Sequence, residues 1–263
     1  MAGAVYGVDG CRGPKAAASR SWFVVSFDDE GTFGSAQLAE SFEGVVDQTR
    51  ASDLVLIDIP IGLPDGNNPS RSCDQEARRL VGRRSSSVFP APSRPALVAN
   101  DYREANDRNR QTIGKGLSQQ AWHICPRIAD VDAVLGSQPN LRARYRESHP
   151  EVCFTALNRW CPAGHPKRHP DGQKERLKIL TRYDCNACRW FKQQCGVWRR
   201  SVVDPTDVLD AMALAVVARH ALAHDCPTLP ADPLMDARGL RMEMVCPTTP
   251  PDYPCGADAA RNL

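Results

Sequence analysis

The chain has 263 residues, 42% of them hydrophobic and 24% charged, with a formal net charge of +2. That length suits one large α/β domain, or one domain with an insertion, and the composition excludes a disordered or collagen-like chain. The small net charge hides a segregation: ten Lys and Arg stand against five Asp and Glu from Arg71 to Lys115, eleven against three from Arg159 to Arg200, and four against nine from Ser201 onward.

Ala4–Val8 is a short apolar run stopped by Asp9-Gly10 and reads as a buried strand. Ser21–Phe27, rich in aromatic and β-branched residues, reads as a second strand; Asp28 to Gly31 is a hairpin connection, and Thr32–Leu38 an antiparallel third strand. Ser41 caps a helix through Arg50, and Asp53–Asp58, nearly all apolar, is a central parallel strand. Two antiparallel connections followed by a helical crossover define a mixed sheet, not a uniformly doubly wound one.

Residues 63–146 read as a helical insertion, with helical patterns at Cys73–Val81, Tyr102–Arg110 and Leu117–Ile128. Glu151–Leu157 is expected as the fifth strand, Ala163–Pro170 as a loop and Gly172–Arg182 as a short basic helix. Asp204-Pro205 opens a last helix running to about His220, with Leu240–Val245 a late edge strand. The whole reads as one domain over residues 1–246 with a proline-rich tail at 247–263, expected to be disordered or draped on the surface. No basic and apolar leader and no membrane-length apolar run is seen, and eleven cysteines, an odd number, suit reduced thiols; the expectation is a cytoplasmic protein without a membrane partner.

Asp9 and Asp58 each end a predicted central strand, where α/β sheets carry their functional crevice. On the last helix, positions 207, 210, 214, 217 and 221 share one face and read Asp, Asp, Leu, Val, Ala, so Asp207 and Asp210 extend a stripe that should face the sheet. A buried ionised carboxylate needs a partner or a metal, and Mg²⁺ or Mn²⁺ suits a set of hard oxygen ligands. The expected chemistry is two-metal hydrolysis of a phosphodiester. The competing reading of each acid is local: a turn or helix cap, most plausible for Asp207 in the first helical turn.

These motifs carry a resemblance. GVDGCRG at 7–13, IDIPIGLP at 57–64, RSCDQEAR at 71–78, RRSSSVFPAP at 83–92, GLSQQAW at 116–122, ESHPEVCF at 147–154 and DVLDAMALA at 207–215 look like an uncharacterised group described as predicted RNase H-like nucleases. DVLDAMALA also resembles the last helix of Holliday-junction resolvases. The resemblance implies a ribonuclease H-like mixed five-stranded sheet with flanking helices, and a nuclease site of Asp9, Asp58, Asp207 and Asp210.

Within ESHPE, Glu147 and Glu151 are candidates for a further ligand or general base, Glu151 foremost, and His149 for a proton shuttle; a proline-held turn is the plainer reading. Arg83, Arg84 and the serines around Ser86 could grip phosphates, and Gln119 and Trp122 could meet a base, so that DNA or RNA is the expected partner. Solvated loop and helix packing are the bland alternatives.

Cys161, His165, Cys185, Cys188 and Cys195 contain a Cys-x2-Cys step within a basic stretch and could hold a structural zinc, although their spacing is loose and they stand outside the motifs above. Cys11 reads as a small buried thiol. Two further functional readings stay open: a nucleotide-binding phosphotransferase, which needs a duplicated half, and a non-catalytic nucleic-acid-binding protein.

Overall fold

The computed structural model describes residues 4–15 and 20–247. The chain opens with β1 (Val5–Gly10), β2 (Trp22–Phe27) and β3 (Phe33–Ala39), crosses through α1 (Phe42–Gln48) and returns as β4 (Leu54–Ile57). Asp28 accepts from the Thr32 amide and hydroxyl and so closes the β2–β3 turn. Ser41 caps α1 through the Gly44 amide at 3.1 Å. Four helices follow: α2 (Ser72–Val81), α3 (Arg94–Leu97), α4 (Tyr102–Ile113) and α5 (Gln119–Ser137). After them come β5 (Tyr145–Glu147), α6 (Pro150–Leu157), α7 (Pro170–Leu180), α8 (Ala187–Val197) and α9 (Pro205–Ala223). A small ribbon of β6 (Thr228–Leu229) and β7 (Met244–Val245) ends the described chain.

The main sheet has the order β3-β2-β1-β4-β5, with β1, β4 and β5 parallel and β2 and β3 antiparallel. The expected mixed five-stranded sheet is therefore present. Strand side chains alternate between faces, and each face has its own core. Val5, Phe23, Val25, Leu54 and Leu56 pack with α6 to α9. Val8, Val24, Val55, Ile57 and Tyr145 pack with α1 and α5. β4 is buried throughout, as a central strand covered on both sides must be.

Three expectations need correction, and α8 adds a helix where no element was expected. Residues 150–157 are not the fifth strand but helix α6; the strand is Tyr145–Glu147. The run is buried all round, so no period reveals its type, and Pro150 at the first helical position with His149 as cap decides for helix. Residues 187–197 form α8, on which Cys188 and Cys195 stand two turns apart. Helix α5 continues past Pro126 to Ser137 and layers Ile128, Val131 and Leu135 on the sheet, so it belongs to the main core. The edge strand expected at 240–245 shrinks to β7, which pairs with β6 and lies outside the main sheet. Most of the proline-rich tail lies outside the described residues. Among those described, no helix is long and apolar enough to cross a membrane.

Candidate active site

Val8 lies opposite Ile57 in the parallel β1–β4 register, and the Asp58 amide donates to the Val8 carbonyl at 3.0 Å. The next pair in that register is Asp9 and Asp58. Alternation puts both on the face of Val5, Leu54 and Leu56, the face that α9 covers. The two acids stand close enough for the charge of Asp58 to act on Asp9. Burial first, and then the charges of Asp58, Asp210 and Asp207, hold the Asp9 carboxyl well above its ordinary range. Burial likewise raises Asp58, against the pull of His149 and Lys167.

Helix α9 brings the other two acids. The backbone of Gly7 lies so close to α9 that an added Cβ would stand 2.1 Å from the Ala211 carbonyl oxygen and 2.3 Å from the Ala215 nitrogen. Asp9 is two residues further along the strand, and Asp207 and Asp210 lie just before Ala211, so helix and strand run in opposite directions and the acids meet at one end. Asp210 is 1% exposed, and its Oδ1 has no hydrogen-bond partner among the described residues. Asp207 serves two purposes. Its Oδ2 accepts from the Asp204 amide at 3.0 Å in a capping box, as the local reading expected, yet it also lines the cleft beside Asp9 and Asp58. Burial, partly offset by that amide, takes the Asp207 carboxyl up to about 6.

A lysine that the sequence reading did not single out enters this cluster. Lys167 Nζ pairs with Asp210 Oδ2 and also acts on Asp9 and Asp58. Desolvation works against its charge, but the surrounding carboxylates overcome it and hold the ammonium above the ordinary lysine range.

The cleft over these groups has a volume of about 490 Å³. One wall is the face of α5 that carries Gln120, His123, Ile124 and Arg127, residues at helical spacing. Arg127 donates to the Cys11 carbonyl and lies over Trp22, which secures the turn after Asp9. The Cys11 thiol itself is buried, which pushes it up to about 12. Ser86 and Ser87 form a second wall, and Lys167 and Arg168 a third.

His149 and Glu151 also line the cleft. His149 Nδ1 accepts from the Glu151 amide at 3.2 Å, so its Nε2 carries the hydrogen that faces the Ser87 carbonyl at 3.3 Å. Glu151 Oε1 pairs with the fully buried Arg176 at 2.6 Å, while Oε2 is buried without a partner among the described residues. Glu147 lines the cleft as well, and is a latch at the end of β5. It accepts from the Ile61 amide at 2.6 Å and from buried Arg71, and burial takes its carboxyl up to about 8.

Several expected residues stand elsewhere. Neither Arg83 nor Arg84 lines the cleft; Arg83 is exposed, and Arg84 donates to the Ala163 carbonyl at 3.2 Å. Gln119 is exposed at the start of α5, and its neighbour Gln120 faces the cleft instead. Trp122 packs against the small apolar cluster of Ala96, Ala105 and Leu117.

The five residues considered for zinc are not gathered. His165 is engaged with Glu175, Cys161 and Cys185 are exposed, and Cys195 lies against the main core. Among the described residues, no three His, Cys, Asp or Glu side chains stand as a ready metal site. In the aspartate cluster the Lys167 ammonium sits on Asp210. The donor set still suits a hard divalent cation. Its groups are carboxylate oxygens, Asp210 Oδ1 lacks a partner among the described residues, and burial together with the neighbouring acids raises Asp9.

Residues 7–234 match the family model described as "Protein of unknown function (DUF429)". The chain belongs to that family. No curated protein and no solved structure matches it. The matched span of this DUF429 chain includes all four aspartates, Lys167 and the walls of the cleft.

Proposed function

We propose that this protein is a Mg²⁺- or Mn²⁺-dependent phosphodiester hydrolase acting on nucleic acid, with a ribonuclease H-like sheet as its scaffold. The observation that carries the reading is the meeting of Asp9 and Asp58, from the ends of adjacent parallel strands, with Asp207 and Asp210 from the helix across that face. The sheet order and the change from antiparallel to parallel pairing at β1 are those expected of a ribonuclease H-like domain. This is support by analogy of fold, and the site itself bears the greater weight.

Asp9, Asp58 and Asp210 would hold the cation, with the remaining oxygen of Asp207 beside them. When bound, the cation supplies an activated water and screens the leaving oxygen. The chain's own residues supply the surroundings. Arg127 and Arg168, which both line the cleft, can position a phosphate, and Ser86 can donate to its oxygens. His149, fixed in one tautomer by the Glu151 amide, presents an imidazole at the rim. Glu151 is clamped by Arg176 through Oε1, and its buried Oε2 has no partner among the described residues.

The test is cleavage of labelled single- and double-stranded DNA and RNA in Mn²⁺, comparing the wild type with Asp9→Asn and Asp58→Asn. The expected result is cleavage that both substitutions abolish while the circular dichroism spectrum is retained. Equal cleavage by all three proteins would refute the assignment.

A further inference from the structure

Lys167 comes to the aspartates on the loop 161–169, and that loop is fastened at almost every step. The Glu175 carboxylate accepts from the Gly164 amide at 2.8 Å and the His165 amide at 3.0 Å. Buried Arg176 donates to the His165 carbonyl at 3.1 Å, and Arg84 holds the Ala163 carbonyl. The His169 amide donates to the Pro166 carbonyl at 2.9 Å. That carbonyl lies over Gly172, where a Cβ would stand only 2.0 Å from the oxygen. The loop backbone is thus set on both sides of Lys167, and only its side chain has room to move.

The two partners of the ion pair differ in surroundings. The Asp210 side chain is 1% exposed and anchored in the core, whereas that of Lys167 is 39% exposed and enters from the cleft. The Lys167 side chain thus reaches solvent through the cleft that it lines, and the Asp210 side chain does not.

We propose that Lys167 is the resident cation of the carboxylate cluster: its ammonium neutralises Asp210 and its neighbours in the metal-free protein, and a divalent ion displaces it toward the cleft mouth. Ammonium and ion exchange for one position because both need the same Asp210 carboxylate, and two cations in contact with it repel. The exchange rests on the metal-site reading above and can fail separately from it.

The test is Mn²⁺ titration calorimetry on the full chain and on Lys167→Met. The variant should bind Mn²⁺ about tenfold or more tightly than the wild type, because no ammonium must be expelled. Its metal-free melting temperature should fall, and Mn²⁺ should raise it by more than it raises that of the wild type. Binding by both proteins with equal affinity, or weaker binding by the variant, overturns the exchange and leaves the metal site standing. Binding by neither overturns both. A measurement on the wild type guards against a variant that fails to fold. Acetylation of lysines by an activated ester, read by peptide mass spectrometry, should speed up severalfold at Lys167 when Mn²⁺ is added, with exposed Lys174 and Lys178 unchanged. An unaltered or slower rate at Lys167 overturns the proposal.

Discussion

The backbone of Gly7 lies against the carbonyl of Ala211, so close that an added Cβ would stand 2.1 Å from the oxygen. This contact sets the distance between the central strand and the last helix, and thereby between Asp9 and the Asp207–Asp210 pair. Gly7→Ala must push α9 away. The expected cost is about 3 kcal/mol or more, at or above the upper end for overpacked cores, read as a lowered urea midpoint. Metal affinity should fall with it. A variant with unchanged midpoint and affinity would show that the close approach is not a constraint.

The second prediction concerns pH. Asp207 is raised to about 6, and Asp9 is held well above its ordinary range. Raised acids favour the folded state below their unfolded values, near pH 4, and that contribution is lost as the pH climbs through the folded ones. Without metal, the cluster should therefore weaken the protein progressively from about pH 4 through pH 6 and beyond. Asp9→Asn removes one charge from the cluster. It should raise the metal-free melting temperature at pH 8, and less so at pH 5. A variant less stable than the wild type at pH 8 would contradict the account of Asp9.

Glu151 and Arg176 form a buried ion pair joining α6 to α7. Arg176→Met strands a buried carboxylate and loosens the loop that carries Lys167, because Arg176 also holds the His165 carbonyl. The expected loss is about 3–5 kcal/mol, the usual consequence of breaking such a pair from one side. Glu151→Gln, which keeps an acceptor for Arg176, should cost less. Similar midpoints for Arg176→Met and the wild type in chemical denaturation would dispose of the pair as a structural device.

Much of this arrangement is legible in the residues. Asp9 follows Val8, and Asp58 follows Ile57, in strands apolar enough to be recognised as central; period two then puts both acids on one face. Asp207 and Asp210 continue the stripe of Leu214, Val217 and Ala221, buried from Asp210 onward, with Asp207 half-buried at its end. Gly7, whose lack of a side chain admits α9, was an available signal that the reading did not use. The fifth strand was misplaced because 150–157 is buried on every side and shows no period, while the true strand is only three residues long. Lys167 was not legible. Nothing in the motif around it indicates a reach into the core, which depends on Gly172, Glu175 and Arg84 fastening its loop from distant positions. Arg127 and Gln120 could have been found, since they share a face of α5 with His123 and Ile124. Cys185-x2-Cys188 was read as metal-ligand spacing with Cys195 as a further candidate, and Cys188 and Cys195 stand two turns apart on α8.

A fourth prediction addresses the partner. Arg168 lies exposed at the cleft and is separate from the aspartate cluster. If it meets a phosphate, Arg168→Ala should weaken nucleic-acid binding similarly for every sequence and reduce the salt slope by about one. Fluorescence anisotropy across a salt series reads both quantities. An unchanged slope would remove Arg168 from the contact surface.

The account stands on the aspartates sharing a cation, and a crystal soaked in Mn²⁺ and measured near the manganese absorption edge examines that directly. The predicted result is anomalous density bounded by Asp9, Asp58 and Asp210, with the Lys167 ammonium drawn away from Asp210. A map without such density, and with Lys167 still paired to Asp210 in saturating Mn²⁺, would contradict it.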